Sequence, residues 1–385
     1  MKKWIAIVIG FFFMQDVHAQ RGRIHGHKDT TDLTFSGTKI NPYQQEFDST
    51  GKWQVNGYVD AYYSHYSDSS NGNGFQKFPT ISPRNQQFGL NMIQLSAKYN
   101  SAKFRSTITL FGGDCPKAAW SNDYNYIQEA NLGFNLYKKL WLDMGFFRTH
   151  IGLESIQPRE NITMSLATTT YFEPYYLSGA KLTWQQSDRL TLQLNVFNSF
   201  NQFVETNKNK AVGFSMNYLA SKKLSFTYSN MLCDESSLIS MIKQTRFYNN
   251  FCLTYKSNKW VLGLEANYGL QTHSCLSDPR QTAMMFSSLI AGKYRITPQL
   301  ATYMRGEVFH DPNEILTGPV LNENHAIVGL EIAGLTAGFE FKPIPNSFVR
   351  VECRALSNYN QHIFQYQQMA SKVRTEINFG MGVWF

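Results

Sequence analysis

The chain has 385 residues, 15% of them aromatic and only 17% charged, with a formal net charge of +8. Ordinary soluble domains carry about 25% charged residues, so this composition, dominated by Tyr and Phe and sparse in Pro, reads as strand-rich rather than as a soluble helical domain. The positive charge is no nucleic-acid footprint, because no stretch joins stacking aromatics to clustered arginine. The five irregularly spaced cysteines form neither a disulfide framework nor a zinc pattern.

Residues 1–19 read as a secretory signal: Lys2 and Lys3 precede an apolar run over 5–14, and Val17, His18 and Ala19 form a small-residue cleavage site. The run is too short to span a bilayer, and no later stretch reaches the ~18 apolar residues a helix would need. Residues 20–52 are polar and aperiodic, and are expected to form a largely flexible periplasmic extension. His25 and His27 could bind a metal, but nothing nearby completes a ligand set, so no metal or cofactor is expected.

From residue 53 alternation begins and hardly stops. Sixteen segments are expected as strands: 53–66, 88–99, 103–111, 126–136, 140–150, 175–184, 190–197, 211–219, 224–230, 245–255, 260–269, 283–295, 300–309, 331–342, 348–356 and 373–385. Each has about the length that crosses a bilayer as a tilted strand, ~9–11 residues. In the last, Val373, Thr375, Ile377, Phe379, Met381, Val383 and Phe385 share one face, while Arg374, Glu376, Asn378 and small residues share the other. In the second, the apolar parity changes between Met92 and Ile93, which predicts a bulge. The inward parity of the middle strands is small or polar, as in Thr191, Gln193, Asn195, Ser215, Asn217, Ser225, Thr227 and Ser229, which favours a water-filled interior over a side-chain plug.

The connections alternate short and long throughout, as between 100–102 and 112–125, or 137–139 and 151–174. Outer-membrane barrels pair short periplasmic turns with longer external loops and an even strand number. The fold expected is therefore all-β, a transmembrane antiparallel barrel of about sixteen strands over 53–385. Aromatics such as Tyr99, Phe104, Trp184, Trp260 and Tyr294 crowd the short-turn end, as an interfacial girdle would. Lys138, Lys139, Lys222, Lys223, Lys256 and Lys259 lie there too, placed to reach lipid phosphates, so the net charge describes a membrane surface more than an anion-selective pore. Cys252 and Cys353 fall in strands as small fillers, and a loop disulfide among Cys115, Cys233 and Cys275 stays open.

Several stretches carry a family resemblance: GYVDAYYS at 57–64, YIQEAN at 126–131, GFFRTHIGLE at 145–154, RGEVFHDP at 305–312, GFEFKP at 338–343 and FVRVE at 348–352. With these the chain resembles the OmpL-like β-barrel porins (porin family 2) over most of its length after residue 53. The resemblance implies an outer-membrane channel of unspecified solute, without catalytic residues to transfer. The terminal Phe385 is similar to the assembly signal of Gram-negative outer-membrane barrels, which implies the barrel-assembly machinery and outer-membrane lipids as partners.

Inward charges gather late in the chain. Arg305, Glu307, Glu340, Arg350, Glu352, Arg354, Arg374 and Glu376, with Lys342, should form one patch of the pore wall. Such a patch could filter solutes through a transverse field. Mixed signs favour cross-strand ion pairs that hold the wall together. The loop 151–174 contains Glu154, Arg159 and Glu160, and by analogy with general porins it could fold inward as a constriction, or lie at the surface.

Three functions compete. The favoured one is passive diffusion of small hydrophilic solutes through the Gram-negative outer membrane. A surface receptor or adhesin would use the external loops, which hold no repeat or binding module. A lipid-modifying enzyme would need a serine, a histidine and an orienting group at the rim. His150, His273, His310, His325 and His362 lie near external loops, but no hydrolase signature accompanies them. Whether the protein is a monomer or a trimer is not written in the sequence.

Overall fold

Alternation of apolar and polar residues over stretch after stretch leaves each strand with one face for lipid and one for the interior, and a bilayer tolerates such strands only when no edge stays unpaired. The computed structural model describes residues 50–385 except 70, 73, 201, 206, 208 and 237–241; the expected signal, the His25 and His27 pair and almost all of the expected extension lie outside the described residues. Sixteen antiparallel strands close into one barrel. They are β1 Thr50–Tyr66, β2 Gln87–Ser101, β3 Phe104–Gly112, β4 Ile127–Tyr137, β5 Leu140–Arg148, β6 Tyr176–Gln185, β7 Leu190–Phe197 and β8 Ala211–Leu219. The circuit continues with β9 Leu224–Asp234, β10 Thr245–Lys256, β11 Trp260–Gln271, β12 Ala283–Arg295, β13 Leu300–Asp311, β14 Leu330–Phe341, β15 Ser347–Asn358 and β16 Val373–Trp384. Neighbours in sequence are neighbours in the wall, and β1 closes it against β16, with Tyr58 opposite Trp384 and Tyr66 opposite Glu376.

All sixteen expected segments are wall strands. The main difference is at the long-loop ends, where β9, β11, β13 and β15 run two to four residues further than their lipid-facing alternation, because backbone pairing continues where the outer face no longer needs to be apolar. The burial pattern is that of a soluble protein turned inside out. Leu194, Ile290 and Leu335 are 56%, 63% and 57% exposed on the outer face, while Gln193, Arg305 and Thr336 on the inner face are almost fully covered.

The bulge lies one residue earlier than the parity suggested. Asp60 pairs with Met92 and Ala61 with Leu90, so Asn91 is the extra residue. Its side-chain amide donates to Asp60 Oδ2 at 2.7 Å, giving the bulge a buried polar fastening. Outer-face aromatics join into a belt near the short turns: Trp53 and Tyr99 have ring centroids 5.4 Å apart, Phe104 and Phe134 5.4 Å, Trp260 and Tyr294 4.5 Å. All five cysteines are free, so the structure contains no loop disulfide among Cys115, Cys233 and Cys275; Cys252 faces inward and Cys353 outward.

The short turns repeat one device that the sequence reading missed. Ser101, Ser187, Ser221, Ser257 and Thr297 each accept, through the hydroxyl, the backbone N–H of the residue three further on, at 3.0 to 3.1 Å. The acceptor of that bond is a side chain that needs no partner strand, so each turn tightens before the ladder of the next strand begins.

Candidate functional site

The interior is occupied where 149–175 leaves the wall between β5 and β6. A short 3-10 turn, Pro158–Glu160, and a short helix, Thr168–Phe172, give this segment its only regular structure. Such a stretch has few internal backbone bonds, so its N–H and C=O groups must find partners elsewhere. They find them on the far wall. Gly152 N–H donates to Asn250 Oδ1 at 3.2 Å, and Leu153 N–H donates to Glu265 Oε2 at 2.8 Å. Met164 and Ser165 N–H donate to the two oxygens of Glu352 at 2.6 and 3.1 Å, and Thr168 N–H donates to Glu307 Oε2 at 2.6 Å. In the reverse direction Arg350 donates to the carbonyls of Pro158, Thr163 and Asn161 at 2.9, 2.8 and 3.1 Å.

The eight inward charges named from the sequence all stand on the inner wall, and all are buried. Six of them gather around the inward segment. Arg305 donates to Glu154 Oε1 at 2.9 Å, to Thr163 Oγ1 at 2.6 Å and to the Ser165 carbonyl at 2.6 Å. Glu307 receives Arg354 at 2.8 Å. Glu340 holds Arg350, with Nε to Oε2 at 2.7 Å, and also faces Lys293 at 3.2 Å. Unpaired, any of these charges would be very costly to bury; paired and hydrogen-bonded on several sides, they convert that cost into a fixed geometry. Arg374 and Glu376 stand apart from the segment. Arg374 lies between the rings of Tyr66 and Phe78, at 4.4 and 4.8 Å, and 3.2 Å from Glu376.

The three charges named within the segment separate. Glu154 Oε2 also accepts the Ala167 N–H at 2.7 Å, so it ties the two limbs of the segment to each other as well as to Arg305. Glu160 turns back to its own side of the barrel, where Arg148 donates to both its oxygens at 2.8 and 3.0 Å. Arg159 donates to Gln157 Oε1 at 2.7 Å and lies over the rings of Tyr58 and Trp384 at 4.6 and 5.8 Å; burial lowers its basicity. Near the end of the segment Glu173 accepts the Tyr248 hydroxyl at 2.5 Å. Burial, and then the nearby Glu265 carboxylate, push the Glu173 carboxyl well above its ordinary value.

Sequence reasoning did not single out Glu265, Asn250 or Lys293, although the parity of β10, β11 and β12 turns all three inward. It also expected an inner face of small and polar groups. That holds for Gln193, Asn195, Ser215 and Ser229, but toward the long-loop end Phe147, Phe197, Tyr248, Met285 and Phe309 form a buried apolar cluster with Ile151 of the segment. These positions lie at or beyond the ends of the regular alternation, where the partner that covers them comes from loops remote in sequence. Of the cavities beside the segment, one of 80 Å³ is lined by Gly152, Glu154, Glu173, Thr227 and Thr254.

A closed sixteen-stranded barrel with an apolar outer face and an inward-folded segment defines a transmembrane barrel of the porin type. The sequence matches the family described as "Putative beta-barrel porin-2, OmpL-like" over residues 52–385, and the chain belongs to that family. No curated protein matches it. Among solved structures it is similar to the outer membrane channel DcaP of Acinetobacter baumannii, at 10% identity and a TM-score of 0.60, over 87% of this chain and 97% of that one. It is similar also to OprB of Pseudomonas putida, at 8% identity and 0.59, over 87% and 94% of the two chains. A third is the anion-selective porin from Comamonas acidovorans, at 7% and 0.57, over 87% and 100%. At these identities the likeness is one of fold.

Proposed function

We propose that the protein is a channel of the Gram-negative outer membrane for passive diffusion of small hydrophilic solutes, and that segment 151–174 narrows its lumen. In this reading Arg305, Glu307, Glu340, Arg350, Glu352 and Arg354 clamp the constriction to the wall. The single observation that carries the reading is the anchoring of one inward segment, on its far side, to β10, β11, β13 and β15. A segment held at both wall and backbone sets a fixed width, which is what size selection in a passive pore requires. A sixteen-stranded barrel leaves room for an aqueous path beside such a segment.

The protein is read as no enzyme. Of the histidines near the external loops, His310 at the end of β13 faces Glu331 at 2.9 Å, His362 faces Glu323 at 3.1 Å, His273 lies 3.0 Å from the Lys243 carbonyl, and His150 lies 2.9 Å from the Asn230 carbonyl with its pKa pushed down to about 4 by burial. The test is single-channel recording of the folded protein in planar bilayers. Stepwise conductance supports the channel. Its absence from protein shown to be folded by heat-modifiable gel mobility retires the channel and favours the receptor.

A further inference from the structure

The stretch 75–86, in the connection between β1 and β2, turns into the barrel as 151–174 does. Its sequence, FQKFPTISPRNQ, accounts for the course. Pro79 and Pro83 have no N–H and resist both helix and sheet, while Phe78 and Ile81 gain by leaving water. Hydrogen bonds fasten the stretch to β1 and to itself. Arg84 N–H donates to the Tyr62 hydroxyl at 3.1 Å, and the Tyr66 hydroxyl donates to the Ser82 carbonyl at 2.5 Å. Gln86 N–H donates to the Ser64 carbonyl at 2.7 Å, and Gln76 N–H to the Pro83 carbonyl at 2.8 Å.

Two side chains act as latches. Arg84 grips the carboxylate of Asp114, the first residue of the short helix Asp114–Ala119, with Nε to Oδ2 at 2.7 Å and Nη2 to Oδ1 at 3.0 Å. The Tyr62 hydroxyl donates to the same Oδ2 at 3.1 Å. A two-point pair of guanidinium and carboxylate fixes direction as well as distance. Phe78 meets the Phe364 ring edge-on at 5.0 Å and lies 4.8 Å from the Arg374 guanidinium, whose other ring contact is Tyr66. Arg374, which stands apart from 151–174, thus serves this second stretch.

The two inward stretches touch. Ile81 belongs to the buried cluster that contains Ile156 and Leu166. The gap between them, lined by Phe78, Ile81, Leu166, Thr168 and Arg354, measures 10 Å³, about the least that holds one water, ~10–15 Å³. Arg305 and Arg350 hold 151–174 through Thr163, Ser165 and Pro158, all outside 75–86. The second stretch can therefore leave while the first stays.

We propose that 75–86 is a second constriction element, docked on the first and held by Arg84 and Phe78, so that the lumen widens in two separate steps. The inference rests on the channel reading and deepens it: Arg84 is a positioning residue for the outer part of the path. The experiment pairs thiol labelling with bilayer recording of the folded protein. Ile81→Cys is the reporter, in a Cys115→Ala background because Cys115 lies in the same apolar cluster. Its modification by a charged, water-soluble maleimide is read by peptide mass. Arg84→Gln and Phe78→Ala are each expected to speed that modification about tenfold, as local release of a covered segment does, and to enlarge single-channel steps by roughly a third. Arg84→Lys, which keeps the charge without the two-point grip, should fall between. Arg280→Gln, which breaks an exposed loop ion pair with Asp278, should change neither. Either variant carries the test if the other lacks heat-modifiable mobility. The inference is overturned if position 81 labels at the parent rate in both variants, or if labelling quickens while the steps keep their size. Labelling that quickens in protein that never conducts removes the channel reading, and with it the constriction, but leaves the latch. Unchanged labelling in protein that conducts removes this inference alone.

Discussion

The ring of Phe385 lies against the backbone of Gly57 on the outer face of the barrel, so close that a Cβ at position 57 would come within 2.2 Å of the ring. The two residues also exchange backbone hydrogen bonds, Phe385 N–H to Gly57 O at 3.1 Å and Gly57 N–H to Phe385 O at 3.2 Å. The last residue of the chain thus pairs with the first strand, where the barrel closes.

A side chain at Gly57 would push the Phe385 ring, 74% exposed, off the strand and so remove the ring contact while leaving the backbone pair. Gly57→Leu should lower the yield of heat-modifiable, folded protein in the outer membrane about as much as Phe385→Ser does, whereas Val383→Ile should be neutral. Equal yields of Gly57→Leu, Phe385→Ser and wild type would show that the contact has no part in assembly.

Arg305 is expected to govern the width of the pore. Replacing it with Met leaves Glu154 and Glu307 buried with fewer partners, and removing one member of a buried pair typically costs ~3–5 kcal/mol. The segment should loosen at β13, where the Thr168 N–H bond to Glu307 remains, and single-channel current should become larger and noisier with little change in reversal potential. A conductance identical to wild type from folded Arg305→Met protein would mean that Arg305 holds nothing that limits flow.

Glu173 makes the segment's docking depend on pH. Its carboxyl is held above the ordinary glutamate value by burial, with Glu265 adding to the effect. A raised carboxyl favours the protonated form when docked, so docking is strongest below the ordinary value, about 4.3, and weakens as pH rises from there through the raised one. Acidification from pH 7 should therefore quieten the open-channel current. Glu173→Gln, which cannot ionise, should be quiet at both pH values. Noise that varies with pH as strongly in Glu173→Gln as in wild type would place the titrating group elsewhere.

The hydroxyl-capped turns predict a small, cumulative effect on folding. Each of Ser187→Ala, Ser221→Ala, Ser257→Ala and Thr297→Ala removes a hydroxyl that makes two hydrogen bonds within its turn, each of net worth ~0.5–1.5 kcal/mol, at its lower end for exposed turns. Single variants should refold into detergent almost as well as wild type, and the fourfold variant should refold measurably more slowly. Unchanged refolding of the fourfold variant would reduce these hydroxyls to decoration.

The wall was legible in the sequence because its determinants are local. A period-two pattern is written residue by residue, as in Val373 to Phe385, and alternating loop lengths need no knowledge of what lies across the barrel. Parity alone therefore turned Arg305, Arg350 and Glu352 inward, and the sixteen strands followed. The bulge at Asn91 came out one residue displaced, because a parity change marks its neighbourhood while only the pairing with Asp60 marks the extra residue.

What faces those inward charges was decided by tertiary structure alone. Arg350 and the carbonyl of Asn161 are 189 residues apart in the chain and 3.1 Å apart in the barrel. Nothing in the composition of 151–174 distinguishes a surface loop from one folded inward, since both need their backbone groups satisfied and only the fold supplies a far wall to satisfy them. Strand identity is a property of consecutive residues, whereas the lumen is a property of the circuit they complete.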